Sequence, residues 1–203
     1  IRLGEYYIIL KIMIFGMFLL VSAIDLLMIY LAIEIVSLMS FILAGYLKEN
    51  KRSNESSLKY VIYGAFSSGL MLYGLSILFG ITGTTKLHEI RFILGSAGPD
   101  SLLSVLISSI LILVGFGYKI SAVPFHFWTP DVYEGAPTPV TAYLSIAPKA
   151  AGFAVLLRFF NDAFSNGGVV SNVEYGFTNL PWPGLLAILA FITMTLGNIV
   201  AIQ

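Results

Sequence analysis

"GYKISAVPFHFWTPDVYEG", residues 117–135, sets a lysine, a histidine, two prolines and two carboxylates between stretches of almost unbroken apolar sequence. A water-exposed loop holds such residues at little cost, so the reading turns on what flanks them. The chain has 203 residues, 58% hydrophobic and 11% charged, against roughly 25% charged in an ordinary globular domain. Its mean hydropathy is +0.90. Apolar runs long enough to cross a bilayer recur along it, and only helices close every backbone hydrogen bond within one such run. The fold class read from this is an all-α, polytopic transmembrane bundle. Within it, the distance from Ser101 to Asp131 would be ~45 Å as one straight helix, too long for a ~30 Å core. Pro124 lacks an N–H and clashes with the preceding turn. The run therefore reads as a helix interrupted inside the membrane near 119–130, just after Lys119.

Spans are read at 6–22, 24–46, 58–80, 101–122, 138–159 and 184–203. The loop "KENKRSNESSLK" (48–59) carries Lys48, Lys51, Arg52 and Lys59 and is assigned to the inner side by the positive-inside rule. Arg2 then also lies inside. "TTKLHEIRFILG" and the connection after 160 lie outside, with Lys86, Arg91 and Arg158 as their basic residues. The whole is read as one transmembrane domain (1–203), with 1–160 as a first five-helix repeat and 184–203 opening a second.

Three ionisable residues fall at a common depth. Glu34 is ten residues into its span, ~15 Å from the surface and half-way through the core; Lys149 is placed alike, and the break returns Lys119 toward mid-depth. Pro148 repeats the device beside Lys149, freeing the Leu144 carbonyl. Each such charge costs at least ~2.5–3.5 kcal/mol at the bilayer centre. Burial disfavours the charged form of either group and a nearby opposite charge restores it, so moving a partner loads or unloads a proton. Glu34, Lys119, Lys149 and His126 are accordingly the candidate proton relay, with Pro124 and Pro148 as helix breaks. The competing reading is a buried ion pair that only braces the bundle, and His126 beside a break often just caps a free carbonyl.

Asp131 and Glu134 read as a helix cap or solvated segment, Lys11 as a snorkelling side chain, and Trp128, Tyr133 and Trp182 as interfacial anchors. Gly115 and Gly117 suggest close helix approach. Zero net charge points away from nucleic acid, and the absence of cysteine excludes thiolate-held iron–sulfur clusters, zinc–thiolate sites and disulfides. A first residue Ile1 and a last residue inside an apolar run suggest a piece of a longer protein, without a signal peptide.

The stretch 117–158, from "GYKISAVPFHFW" to "AGFAVLLR", resembles the subunit N (subunit 2) family of proton-pumping NADH–quinone oxidoreductase, respiratory complex I. So does "DLLMIYLAIEIVSLMSFILAGY" (25–46). The resemblance implies an antiporter-like membrane subunit of about fourteen helices built from inverted repeats, of which this chain would be helices 4–9. By the same resemblance Glu34 matches the family's glutamate on helix 5, Lys119 the lysine of broken helix 7, Lys149 the lysine of helix 8, and His126 a histidine of the path. No redox site is implied in this chain and no cofactor of its own. NAD, FMN, iron–sulfur clusters and quinone belong to partner subunits. The expected partners are other membrane subunits of complex I and the lipid bilayer, with no nucleic acid. The expected location is a bacterial inner membrane, with an organellar inner or thylakoid membrane as the alternative. The alternative function is a subunit of a multisubunit cation/proton antiporter.

Overall fold

The computed structural model describes residues 3–96, 101–164 and 182–202. Arg2 and the outer connection 165–181 lie outside the described residues. The described chain is helical throughout: α1 (Leu3–Ser22), α2 (Leu26–Ala44), α3 (Lys51–Thr82), α4 (Leu87–Ser96), α5 (Leu102–Ile120), α6 (Trp128–Gly135), α7 (Thr138–Phe164) and α8 (Trp182–Ile202). All but α4 and α6 are long and apolar enough to cross a membrane. These are the expected spans, and the all-α class holds.

Caps explain several of the boundaries. Asp25 opens α2 by accepting the Leu27 N–H at 2.9 Å, and Asn50 opens α3 by accepting that of Arg52 at 3.0 Å. Gly83 closes α3 in the left-handed region (φ 68°), where only glycine is unstrained. The basic stretch 51–59, expected as a loop, is instead the first turns of α3. Once Asn50 caps that end nothing breaks the helix, and Ser53 donates to the Ala44 carbonyl (2.7 Å), closing the end of α2 against it. The segment "TTKLHEIRFILG" also differs from the loop expected. Leu87, Ile90 and Leu94 recur at helical spacing and are buried, so α4 lies as a short amphipathic helix on the bundle. Its entrance is tied to the α1–α2 turn, where Leu26 N–H donates to Thr85 O (2.8 Å) and Leu87 N–H to Ile24 O (3.1 Å).

The interruption between α5 and α6 begins earlier than Pro124. Ser121 takes the left-handed conformation (φ 61°), and the N–H of Ala122 turns back to Gly117 O at 2.8 Å. This closes α5 as a glycine-type cap would. Pro124 sits in the following turn, where it keeps Val123 out of helical geometry. Two carbonyls just before Lys119 are occupied: Gly117 O by Ala122, and Tyr118 O by Ser121 N–H (3.2 Å) and by the Trp128 indole (3.1 Å). Gly117 is required here, because a Cβ would stand 2.5 Å from the Phe125 ring where the chain folds back on α5. A second correction concerns Pro148. The α7 helix runs through it, because a proline deletes one ladder bond and the surrounding helices hold the rest.

The returning segment is clamped to α3. Trp128, read as an interfacial anchor, is buried; its ring stacks on Tyr60 at 4.4 Å and 15° while Tyr118 donates its hydroxyl to Tyr60 O at 2.9 Å. At the end of the bundle where α3 starts, Asp131 pairs with Lys59 (2.9 Å) and Glu134 with Arg52 (3.7 Å), so these carboxylates serve as ion-pair partners of α3 rather than as a cap. Trp128→Ala should cost about 3–5 kcal/mol through the void it leaves, and sharply lower the amount of folded subunit in membranes. Trp128→Phe keeps most of the ring and forfeits one hydrogen bond worth about 1 kcal/mol. Its membrane content and thermal melting in detergent should stay close to the parent. Equal losses in both variants would mean that the indole N–H, not ring burial, holds the segment.

Candidate functional site

Two apolar clusters divide the bundle by depth. The outer one gathers Leu26, Ile29 and Ile33 of α2, Met71, Leu75 and Leu78 of α3, Val105 to Phe116 of α5, and Ala151 to Phe164 of α7. The inner one gathers Val36 to Ala44 of α2, Tyr60 of α3, Tyr118 of α5, Trp128 and Val132 of α6, and Val140 and Leu144 of α7. On α2, α3 and α7 the change from one cluster to the other falls around Glu34, Ser67 with Ser68, and Lys149, and on α5 it falls between Phe116 and Tyr118, just before Lys119. The polar residues picked out by counting thus lie near the junction of the two clusters.

On α2, Tyr30, Glu34 and Ser37 are spaced four and three apart and share one face. Ser68 of α3 donates to Glu34 Oε1 and lies 3.2 Å from the Tyr30 hydroxyl, so one serine bridges the carboxylate and the tyrosine. One turn further along α2, Ser37 accepts a hydrogen bond from Lys119 Nζ at 3.1 Å. Lys119 is only 3% exposed. It occupies the last turn of α5, where the carbonyl end of the helix favours a cation. No ion pair within 4.0 Å joins Glu34 to Lys119 among the described residues; the two stand on one polar face of α2, each held by a serine.

Lys149 is half-buried, with Nζ 5.3 Å above the ring of Tyr133 in a cation–π contact. One turn later on α7, Gly152 lies against Lys119. A Cβ there would be 2.9 Å from Ile120 Cγ2 and 3.4 Å from Lys119 Cγ, so only glycine brings the two lysine-bearing helices this close without displacement. His126 follows Pro124 in the turn. Its ring stacks on Phe127 (4.9 Å) and its Nδ1 is buried without a partner. The structure therefore links Lys119 to the Glu34 face and packs the helix of Lys149 against it at Gly152, while His126 makes no hydrogen bond to either lysine among the described residues.

Polar side-chain atoms that are buried and unpartnered are few in native proteins. Those among the described residues are Ser121 Oγ, His126 Nδ1, Thr129 Oγ1, Tyr133 OH and Tyr143 OH, all within 121–143. They follow the broken segment from the end of α5 to the start of α7. Lys11, by contrast, is exposed on α1 and takes no part in the layer.

Sequence reasoning missed Ser37, Ser68, Tyr30 and Gly152, and gave Tyr133 a surface role. The signal for Ser37 was its place one turn from Glu34. Gly152 could have been found as a helix-interior glycine one turn from Lys149.

Residues 23–203 match the model of the family described as NADH:quinone oxidoreductase/Mrp antiporter, TM. The chain is 52% identical over 98% of its length to "NADH-quinone oxidoreductase subunit N 2" of Chloroherpeton thalassium, and 54% identical over 98% to "NADH-quinone oxidoreductase subunit N" of Chlorobium chlorochromatii. It spans 38% of the length of each of these relatives. It superposes on a chain of respiratory complex I from Thermus thermophilus with bound aureothin at a TM-score of 0.74 and 34% identity, covering 97% of this chain and 39% of that one. The spanning helices together with these bacterial relatives identify a multi-pass protein of the bacterial inner membrane. The chain belongs to the NADH:quinone oxidoreductase/Mrp antiporter transmembrane family.

Proposed function

We propose that this chain is part of the proton-translocating subunit N of an NADH–quinone oxidoreductase, and that Glu34, Lys119 and Lys149 pass protons at mid-membrane while electron transfer proceeds in partner subunits. The observation that carries the reading is the polar layer separating two apolar clusters on α2, α3, α5 and α7. A brace needs one pair of charges in contact. Here the three ionisable groups are held apart, each by a neutral partner: Ser68, Ser37 and the Tyr133 ring.

The chemistry follows from that spacing. Lys119 with its proton is stabilised by Ser37, by the helix end and by the charge of Glu34 along the same face. A change that weakens any of these favours release, and Lys149 is the acceptor across the Gly152 contact. Lys119 and Lys149 share no hydrogen bond among the described residues, and the unpartnered hydroxyls and imidazole of 121–143 supply polar sites for ordered water along the path. His126 serves in this scheme as one of those sites.

The test is purification of the full-length subunit from its own membranes. Flavin- and iron–sulfur-bearing subunits should co-purify, and NADH oxidation by quinone in reconstituted vesicles should drive proton translocation. Recovery with cation-exchange partners, and sodium–proton exchange without NADH, would transfer the chain to the antiporter branch of its family.

A further inference from the structure

The interruption that carries Lys119 exposes a backbone donor that α5 can no longer use. Val123 follows the left-handed cap at Ser121, and its residue is 4% exposed. Its N–H donates to Thr193 Oγ1 of α8 at 3.0 Å. The threonine hydroxyl itself donates to Leu189 O at 2.7 Å, which turns its lone pairs toward Val123. The surrounding cleft, about 330 Å³, is lined by apolar residues of α5, α7 and α8 and by Phe125. Among the described residues Thr193 brings the sole hydroxyl to that lining.

We propose that Thr193 is a positioning residue: by accepting the Val123 N–H it fixes the turn after α5, and through it the last turn that presents Lys119 to Ser37. Three observations converge. The donor is a peptide group stranded by the break, the acceptor is isolated in an apolar lining, and the contact spans 70 positions of sequence. A peptide N–H buried beside hydrocarbon has no second partner to turn to. The bond ties α8 to the broken segment, so a displacement of either reaches the other. The functional half of this proposal rests on the relay reading above; the structural half does not.

The experiment uses the assembled complex with the full-length subunit carrying Thr193→Val, Thr193→Ser or Lys119→Met. Valine keeps the shape and removes the acceptor, and serine retains it. Hydrogen–deuterium exchange of the peptide containing Val123 reads the bond directly; NADH-driven proton uptake across a range of pH reads Lys119. Thr193→Val should speed exchange at Val123 by roughly fivefold or more, lower uptake severalfold and move its pH profile. Thr193→Ser should restore all three. Unchanged exchange in the valine variant overturns the proposal outright. Faster exchange with parental uptake and pH profile overturns the positioning role. Failure of the relay reading has a separate signature, normal uptake in Lys119→Met, and the exchange measurement then decides the bond by itself.

Discussion

Lys119→Met should lower NADH-driven proton uptake by about tenfold or more, since removing a positioned proton-transfer group commonly costs that much or more. The assembled amount of the complex should stay close to the parent. The two halves of the expectation have different causes. Methionine fills the space of the lysine stem and leaves no charge in a site that is 3% exposed, so burial is relieved rather than worsened. The Ser37 hydroxyl loses its donor, but it lies in a helix where it can turn to a backbone carbonyl, as Ser40 does to Val36 O at 2.6 Å. What methionine cannot do is hold a proton. A bracing lysine behaves in the opposite way: its loss would alter packing between α2 and α5 and reduce assembly, with the surviving complex pumping normally. Membrane content, NADH–quinone activity and proton uptake, measured on one preparation, separate the two. Normal uptake per assembled complex would remove Lys119 from the relay.

The charged part of this site was legible in the sequence because hydrocarbon makes each ionisable residue conspicuous. Glu34, Lys119 and Lys149 stand out against apolar neighbours, and residue counting at 1.5 Å per residue brings them to one depth. Their partners were not legible. Serines such as Ser37 and Ser68 are common in spanning helices, and what distinguishes these two is which helix lies opposite, a fact of tertiary packing. The same holds for Trp128. Aromatic residues near the ends of apolar runs usually mark the interface, yet the turn at Ser121 folds this one inward onto Tyr60. The break itself was seen, but its cause was given to Pro124 alone. No propensity rule marks a serine for the left-handed region, and it is the Ala122–Gly117 and Trp128–Tyr118 bonds that reward it there. Pro148 failed as a break for the complementary reason: Leu144, Ala151, Gly152 and Val155 around it are buried against other helices, and that packing outweighs one missing ladder bond.

Lys149 should respond to substitution in a pattern that no packing role reproduces. Lys149→Met keeps much of the side-chain volume and its contact with the Tyr133 ring, since a thioether also packs well on an aromatic face. Assembly should therefore survive, while proton uptake and coupled quinone reduction fall by about tenfold or more, the scale set by loss of a proton-transfer group. Lys149→Arg keeps the charge and improves stacking on the tyrosine, so a bracing or purely electrostatic role predicts near-parental activity for it. A carrier role predicts the reverse, because a guanidinium stays protonated throughout the physiological range and does not release what it holds. The arginine variant should thus assemble fully and still turn over slowly. Geometry sharpens the contrast: Lys149 is half-buried, so the longer side chain has room to settle without displacing α5. Both variants are compared with the parent for membrane content, NADH–quinone activity and proton uptake. Rescue by arginine would leave Lys149 as a fixed charge, and parental uptake in the methionine variant would show that protons cross this layer without it.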